Sequence, residues 1–198
     1  MNAFEALGLK PEIIQSIADL GFTTPTPIQE QAIPVLLSGT TDFVGLAQTG
    51  TGKTAAFGMP LLQLINAADR FPQALIVCPT RELCLQITSD LQDFKKYLKG
   101  VHTEAVYGGA SISMQIRNLR QGVQIVVATP GRLIDLIERK AIDLQKVKYV
   151  VLDEADEMLN MGFKDAIDEI YEVYEKPAQI KRQLVNTLNV LCLRSSIG

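Results

Sequence analysis

Apolar residues at the start of the chain recur with helical spacing. Ile13, Ile14, Ile17 and Leu20 fall on one side of a helix drawn over 11–20, since residues three and four apart share a helix face. A second helix is predicted from Thr26-Pro27 to about Leu37, with the proline near the first helical position, where no N–H is needed. Beyond it the pattern changes. Strand-like apolar runs stand at 42–47, 74–78, 102–106, 124–128 and 148–152, and helical segments fall between most of them at 54–67, 81–99, 111–121 and 130–139. The run at 148–152 is rich in β-branched residues and suits a buried parallel strand. Strands that alternate with helices predict an α/β fold: a doubly wound, mostly parallel sheet with helices on both faces and right-handed crossovers. The chain shows no internal repeat and no low-complexity linker.

The chemistry collects at the predicted strand ends. After Phe43-Val44-Gly45-Leu46 comes Ala47-Gln48-Thr49-Gly50-Thr51-Gly52-Lys53-Thr54, then a helix-compatible segment. Strand, glycine-rich turn, Lys-Thr and helix form the arrangement of a phosphate-binding P-loop. Gly50 and Gly52 let the backbone approach an anion, and the N–H groups of the turn and helix start supply positive potential. Lys53 then meets the β- and γ-phosphates, and the Thr54 hydroxyl is a ligand of Mg²⁺. The general pattern begins with glycine where this chain has Ala47.

A second acidic half-site follows about a hundred residues later. The run 148–152 ends in Asp153-Glu154-Ala155-Asp156, and carboxylates at the C-terminal end of such a strand lie in the crevice where open α/β sheets bind ligands. Asp153 is expected to hold Mg²⁺, directly or through water, and Glu154 to orient or deprotonate the attacking water. An acidic helix start favoured by the dipole is the bland alternative.

Composition narrows the partners. A length of 198 residues with 47% hydrophobic content fits one domain with its own core. No apolar run is long enough for a bilayer span, and Met1-Asn2-Ala3-Phe4-Glu5 lacks the charge and apolar block of a secretory leader. A cytoplasmic location follows as an expectation. The three cysteines, Cys78, Cys84 and Cys192, show no metal-ligand spacing and read as reduced, with core packing the expected role of Cys78 and Cys84. The single His102 has no visible partner. A net charge of −3 argues against a broad basic surface, and the absence of Trp argues against base-stacking platforms. A local nucleic-acid site made of loop arginines and backbone N–H groups is compatible with that charge.

In this order and at these places, the motifs resemble the first RecA-like domain of DEAD-box ATP-dependent RNA helicases, over residues 1 to about 183. The stretch 21–29 (GFTTPTPIQ) is similar to the family's Q motif, with Phe4 as its isolated upstream aromatic, and the P-loop that begins with Ala47 is the family's form. The resemblance implies that Gln29 selects adenine, that Phe22 stacks on the base with Phe4 packing nearby, and that Thr24 adds a contact. It implies RNA contact through Pro79, Thr80 and Arg81, through Gly108-Gly109, and through Thr129, Pro130, Gly131 and Arg132. Arg81 and Arg132 sit at predicted helix starts, where a cation opposes the dipole, and Thr80 and Thr129 are candidate caps. Asp156 is the implied link to a Ser-Ala-Thr motif on the next strand.

That link is missing from the chain. After Lys181-Arg182-Gln183 the tail 184–198 departs from the family pattern, and is expected to derive from a frameshift or an artificial junction, with part of it able to form a strand. The implied activity is ATP hydrolysis coupled to local unwinding of RNA duplexes, with ATP and Mg²⁺ bound and RNA held by its backbone. A second RecA-like domain, which supplies an arginine finger in that family, is absent from these 198 residues. The expectation for the chain alone is nucleotide binding with feeble hydrolysis and no unwinding. A non-catalytic nucleotide- or RNA-binding module, or another P-loop nucleic-acid motor, stands as the alternative.

Overall fold

In the computed structural model, which describes residues 3–39, 43–48, 50–175 and 189–194, six parallel strands make one sheet in the order β1-β6-β5-β2-β4-β3. The strands are β1 (Phe43–Leu46), β2 (Ala74–Val77), β3 (Thr103–Val106), β4 (Ile125–Ala128), β5 (Tyr149–Asp153) and β6 (Asn189–Arg194). The helices are α1 (Pro11–Asp19), α2 (Pro27–Ser38), α3 (Lys53–Leu64), α4 (Arg81–Phe94), α5 (Ile112–Leu119), α6 (Pro130–Glu138), α7 (Ala155–Asn160) and α8 (Lys164–Glu175), preceded by a short 3-10 turn at Glu5–Leu7.

Side-chain alternation along the strands explains why helices cover the sheet twice. Ala74 and Ile76 of β2, Ile125 and Val127 of β4 and Val151 of β5 face one core, packed with Ile13, Ile33, Phe57 and Leu91 from α1 to α4. Their neighbours Leu75, Val77, Val126, Ala128, Val150 and Leu152 face a second core with Leu133, Leu136, Met158 and Ile170 from α6 to α8. Strands buried on both sides read as unbroken apolar runs, and the central strands of this sheet do.

The expected elements are present with shifted bounds, two of the helices being markedly shorter. The helix expected over 54–67 stops at Leu64 because Gln73 takes over the backbone of Asn66: Asn66 N donates to Gln73 Oε1 at 3.0 Å, and Gln73 Nε2 donates to Asn66 O at 2.9 Å. The helix expected over 81–99 stops at Phe94. There the Lys95 ammonium turns to Val101 O at 2.8 Å, and Lys96 and Tyr97 reach back to Asp19 of α1 at 2.5 and 2.7 Å. Helices α7 and α8 are additions to the expected elements. Strand β6 falls in the tail, between the strand that leads to the P-loop and the strand that carries Asp153.

Helix α6 ends on a residue with a measurable cost. Lys140 sits at φ 53 in the left-handed region, its N–H donating to Ile137 O at 2.8 Å while Ala141 N donates to Leu136 O at 2.9 Å. A Cβ is strained there and glycine is not. Lys140→Gly is therefore expected to raise stability by about 0.5–1 kcal/mol, after allowing for the greater freedom of glycine in the unfolded chain. The measurement is the urea midpoint, which should rise with unchanged slope.

Candidate functional site

The loops that follow β1, β2, β3, β4 and β5 all leave the same edge of the parallel sheet, so the expected motifs assemble along one rim. Beyond β1, Gly50 and Gly52 take φ values of 78 and 84, which only glycine adopts without strain. The Thr51 hydroxyl donates to Gln48 O at 2.7 Å and tightens the turn. Thr49 lies outside the described residues. Gly52 then opens α3, whose first turn holds no acidic residue and receives no side-chain cap. Its N–H groups are left for a ligand, at the positive end of the helix dipole.

Lys53 and Asp153 converge at one cleft. The cleft has a volume of about 540 Å³ and is lined by Gly50, Gly52, Lys53, Thr54, Asp153 and Glu154, among others. Lys53 is 7% and Asp153 3% exposed, yet among the described residues neither Lys53 Nζ nor Asp153 Oδ1 has a hydrogen-bond partner. Buried charges that feel each other's field without a hydrogen bond are costly. Burial pushes the Asp153 carboxyl up to about 6, against the pull of the Lys53 cation, with Glu154 and Asp156 adding like-charge repulsion. Glu154 itself stands at φ 54 and ψ 47, a left-handed conformation that costs a non-glycine residue about 1–3 kcal/mol. The turn interrupts β5 and points the chain into α7, leaving Glu154 on the cleft wall.

The residues expected around the base divide between the cleft wall and the core behind it. Phe22 lines the cleft and meets Phe94 edge-on, with ring centroids 6.2 Å apart. Phe4, expected in the nucleotide-binding set, is 0% exposed in the core beneath and is absent from the lining. Gln29 is 2% exposed and works inside the protein: its Oε1 accepts from Thr26 N at 3.0 Å and its Nε2 donates to Gly52 O at 3.1 Å. It therefore couples the start of α2 to the P-loop. A Cβ on Gly52 would come within 2.4 Å of Gln29 Nε2, so the glycine is what admits this contact. Thr24 and Gln48 are exposed, and neither they nor the partly buried Ala47 and Thr51 are in the lining. The expected site residues did not include Leu20, Ala55, Leu83, Asp90, Asp93 and Phe94, which complete the cleft wall.

A second cleft of about 430 Å³ lies on the same rim, lined by Pro79, Arg81, Gly108, Thr129, Gly131, Arg132 and Phe163. Thr80 caps α4 by accepting from Leu83 N at 3.2 Å, as expected. Thr129 makes no side-chain cap: its N–H donates to Val106 O at 3.0 Å, and Pro130 opens α6 at the position that needs no donor. Arg81 is exposed, lies 5.0 Å from the centre of the Tyr107 ring, and makes no ion pair among the described residues. Arg132, by contrast, is mostly enclosed. It donates to Ala110 O and Gln115 Oε1, and Asp135 stands 3.9 Å from its Nε. Asp156, on the first turn of α7, is near enough to Asp153 to raise its pKa. Cys78 and Cys84 are free, buried thiols behind this rim, and their contact with each other and burial push the Cys78 thiol up.

Comparisons with known proteins point to one family and one fold. The profile of the DEAD/DEAH box helicase family matches residues 26–188. The chain is 51% identical over 169 residues to "ATP-dependent RNA helicase DeaD" of Escherichia coli K12, covering 85% of this chain and 27% of that protein. It is 48% identical over 167 residues to the protein of the same name from Mycobacterium tuberculosis, covering 84% and 30%. It superposes with TM-score 0.88 and 37% identity on the crystal structure of a DEAD box protein from Methanococcus jannaschii, over 99% of this chain and 50% of that one. A hypothetical ATP-dependent RNA helicase from Sulfolobus tokodaii gives 0.76 and 38%, over 96% and 51%. The chain thus spans under a third of the length of these curated relatives and about half the length of these solved structures. Among the described residues no helix is long and apolar enough to cross a membrane.

Proposed function

Because the chain belongs to the DEAD/DEAH box helicase family, we propose that it forms the ATP-binding unit of an RNA helicase, with the triphosphate at the P-loop and RNA on the second cleft. The observation that carries the nucleotide reading is the pair of buried, unsatisfied groups, Lys53 Nζ and Asp153 Oδ1, on the wall of one 540 Å³ cleft. A polyanion that carries its own cation satisfies both at once: Lys53 meets phosphate oxygens and Asp153 meets the metal. Magnesium keeps most of its waters and binds proteins through one or two carboxylates plus the phosphates. Asp153 and the Thr54 hydroxyl fit that small donor set, partly through water. When bound, the ion neutralises charge that develops on the phosphoryl oxygens.

The other residues act around that pair. The free N–H groups of Gly50, Thr51, Gly52 and Lys53 form the anion cradle, completed by Ala47, Gln48 and Thr49 of the same loop. Phe22 offers a ring to the base, with Thr24 beside it. Gln29, with one amide N–H and one lone pair to spare, reads the adenine edge while keeping its hold on Gly52. Phe4 supports this wall from the core. Glu154 orients the attacking water and takes its proton.

On the second cleft, RNA is recognised through its backbone. Arg81 is the exposed cation, and the backbone N–H groups of Thr80, Gly108-Gly109 and Gly131, with the Thr129 hydroxyl, supply neutral donors beside Pro79 and Pro130. A chain of net charge −3 binds RNA weakly by this means, with loss of affinity in salt. Unwinding needs a second RecA-like unit and is proposed for the longer protein, with Asp156 facing the coupling side. The setting proposed is the cytoplasm, where buried thiols such as Cys78 and Cys84 stay reduced.

Calorimetric titration with ATP and Mg²⁺, then with GTP, tests the nucleotide reading. ATP is expected to bind and GTP to bind at least about tenfold more weakly, since a site built to pair with one base edge leaves polar groups unpaired with the other. The same chain is expected to prefer single-stranded RNA over DNA at low salt. No heat with ATP would remove the assignment.

A further inference from the structure

We propose that Gln115 is the positioning residue of the RNA-facing loop and that Arg132 acts through it rather than on RNA. Gln115 belongs to α5, is 4% exposed, and lies outside every motif singled out in the sequence. Its amide works at both ends. Nε2 donates to Tyr107 O at 3.1 Å, and Oε1 accepts from Arg132 Nη1 at 2.7 Å. Arg132 in turn donates from Nη1 and Nη2 to Ala110 O, each at 3.2 Å. The loop between β3 and α5 is thereby held by its first carbonyl, Tyr107, and by that of Ala110 near its end, through one continuous amide–guanidinium bracket.

Between the two fixed carbonyls lie Gly108 and Gly109. Among the described residues neither of their N–H groups donates to a backbone carbonyl. Gly109 adopts φ 79 with Arg81 Nη1 3.6 Å from where its Cβ would be, and Arg81 spreads over the Tyr107 ring. The bracket thus sets two free donors beside the exposed cation of the second cleft. The guanidinium of Arg132 is already engaged: a direct phosphate contact would have to break its bonds to Ala110 or Gln115, at the cost of the loop it holds. Buried networks of this kind act as a unit, because one lost member leaves the others unsatisfied.

The inference rests on the RNA reading of the second cleft, and the experiment separates the two. The chain has no Trp, so Tyr107→Trp places the chain's one indole, excited apart from the remaining tyrosines, in the loop and keeps a ring for Arg81. In that background Gln115→Met, Arg132→Met, the double variant and Gln115→Glu are titrated with a short oligouridylate at low salt. Each Met variant is expected to weaken RNA binding about ten- to thirtyfold, the loss that goes with an unpaired buried polar group. The double variant is expected to bind no more weakly than the worse single one, as coupled residues do. Gln115→Glu keeps an acceptor for Arg132 and should recover part of the loss. ATP affinity should match the parent in all four, which a general loss of packing would not allow. Without RNA, acrylamide should quench the introduced indole more strongly in Gln115→Met.

Losses that multiply in the double variant would overturn the proposal by making Arg132 an independent RNA ligand. Unchanged quenching in Gln115→Met would overturn it by showing that the loop does not depend on the amide. A parent chain that binds ATP but no RNA, with quenching still raised in Gln115→Met, would reject the RNA reading of the cleft instead and leave a loop clamp without this ligand.

Discussion

Lys53→Met is expected to reduce ATP affinity about a hundredfold while the ligand-free chain melts no lower than the parent. The two halves of that outcome have one cause. Lys53 is buried, and among the described residues its ammonium has no hydrogen-bond partner. Without ligand it is a desolvated cation that makes no hydrogen bond and meets only the field of the Asp153 carboxyl, and methionine fills the same space without charge. In the complex it meets phosphate oxygens, and truncating one partner of a buried charge pair costs about 3 kcal/mol, or two decades in dissociation constant. The exchange also removes the cation that holds Asp153 down, so that the Asp153 carboxyl should titrate above its value of about 6. Calorimetry, thermal melting and a carboxyl titration give three readouts. An affinity equal to the parent's would detach Lys53 from the triphosphate; a collapsed melting temperature would make it a structural residue.

How far the chain could be read in advance depended on what each residue answers to. The strands were legible because the central ones are buried on two sides, so that Ala74–Val77 and Ile125–Ala128 are apolar at every position. The rim was legible because loops in parallel sheets leave at one edge, and both the P-loop and the Asp-Glu pair follow strands. Side-chain partners were not. Gln29 has the same letter whatever it touches, and only the approach of α2 to α3 shows that half of its amide bridges Thr26 to Gly52. Arg132 sits at a helix start that suggests an anion, yet Ala110 and Gln115, distant in sequence, claim it. Phe4 was expected to pack near Phe22, and only the fold shows its ring fully buried in the core.

Helix α8 shows a different kind of miss. Ile167, Ile170 and Tyr171 have helical spacing, and Lys164 meets Asp168 one turn on at 2.6 Å, so the signal was present in the sequence. The acidic motif just upstream drew the reading toward chemistry instead. Asp90 and Asp93 were missed for a third reason. They are ordinary polar residues on an amphipathic helix until α4 packs beside the P-loop helix and turns that face toward the cleft. Burial there raises the Asp90 carboxyl, even against its bond to Gln86. These acids place negative charge on the same wall as Phe22, which favours seating the triphosphate toward Lys53 rather than toward α4.

Folding stability and affinity for ATP with Mg²⁺ are expected to run in opposite directions with pH. Asp153 has a carboxyl at about 6 in the folded chain against an ordinary 3.8. A group raised on folding stabilises the protein when protonated: the contribution is complete below 3.8 and is lost as pH climbs through about 6. That difference corresponds to about 3 kcal/mol for a fully buried group. Affinity follows the other sign, because a metal-bound nucleotide needs the carboxylate ionised. From about pH 5 upward it should rise by at most about tenfold per pH unit and level off above the carboxyl's pKa. Protons on the nucleotide contribute a slope of their own, and Asp153→Asn separates the two, since asparagine cannot titrate. In that variant the stability slope between about pH 4 and 6 should flatten, and the affinity profile should keep only the part that belongs to the nucleotide. If the stability slope persists in Asp153→Asn, the buried carboxyl is not its source, and the strained, unsatisfied corner of the cleft loses its role as the place where metal and proton compete.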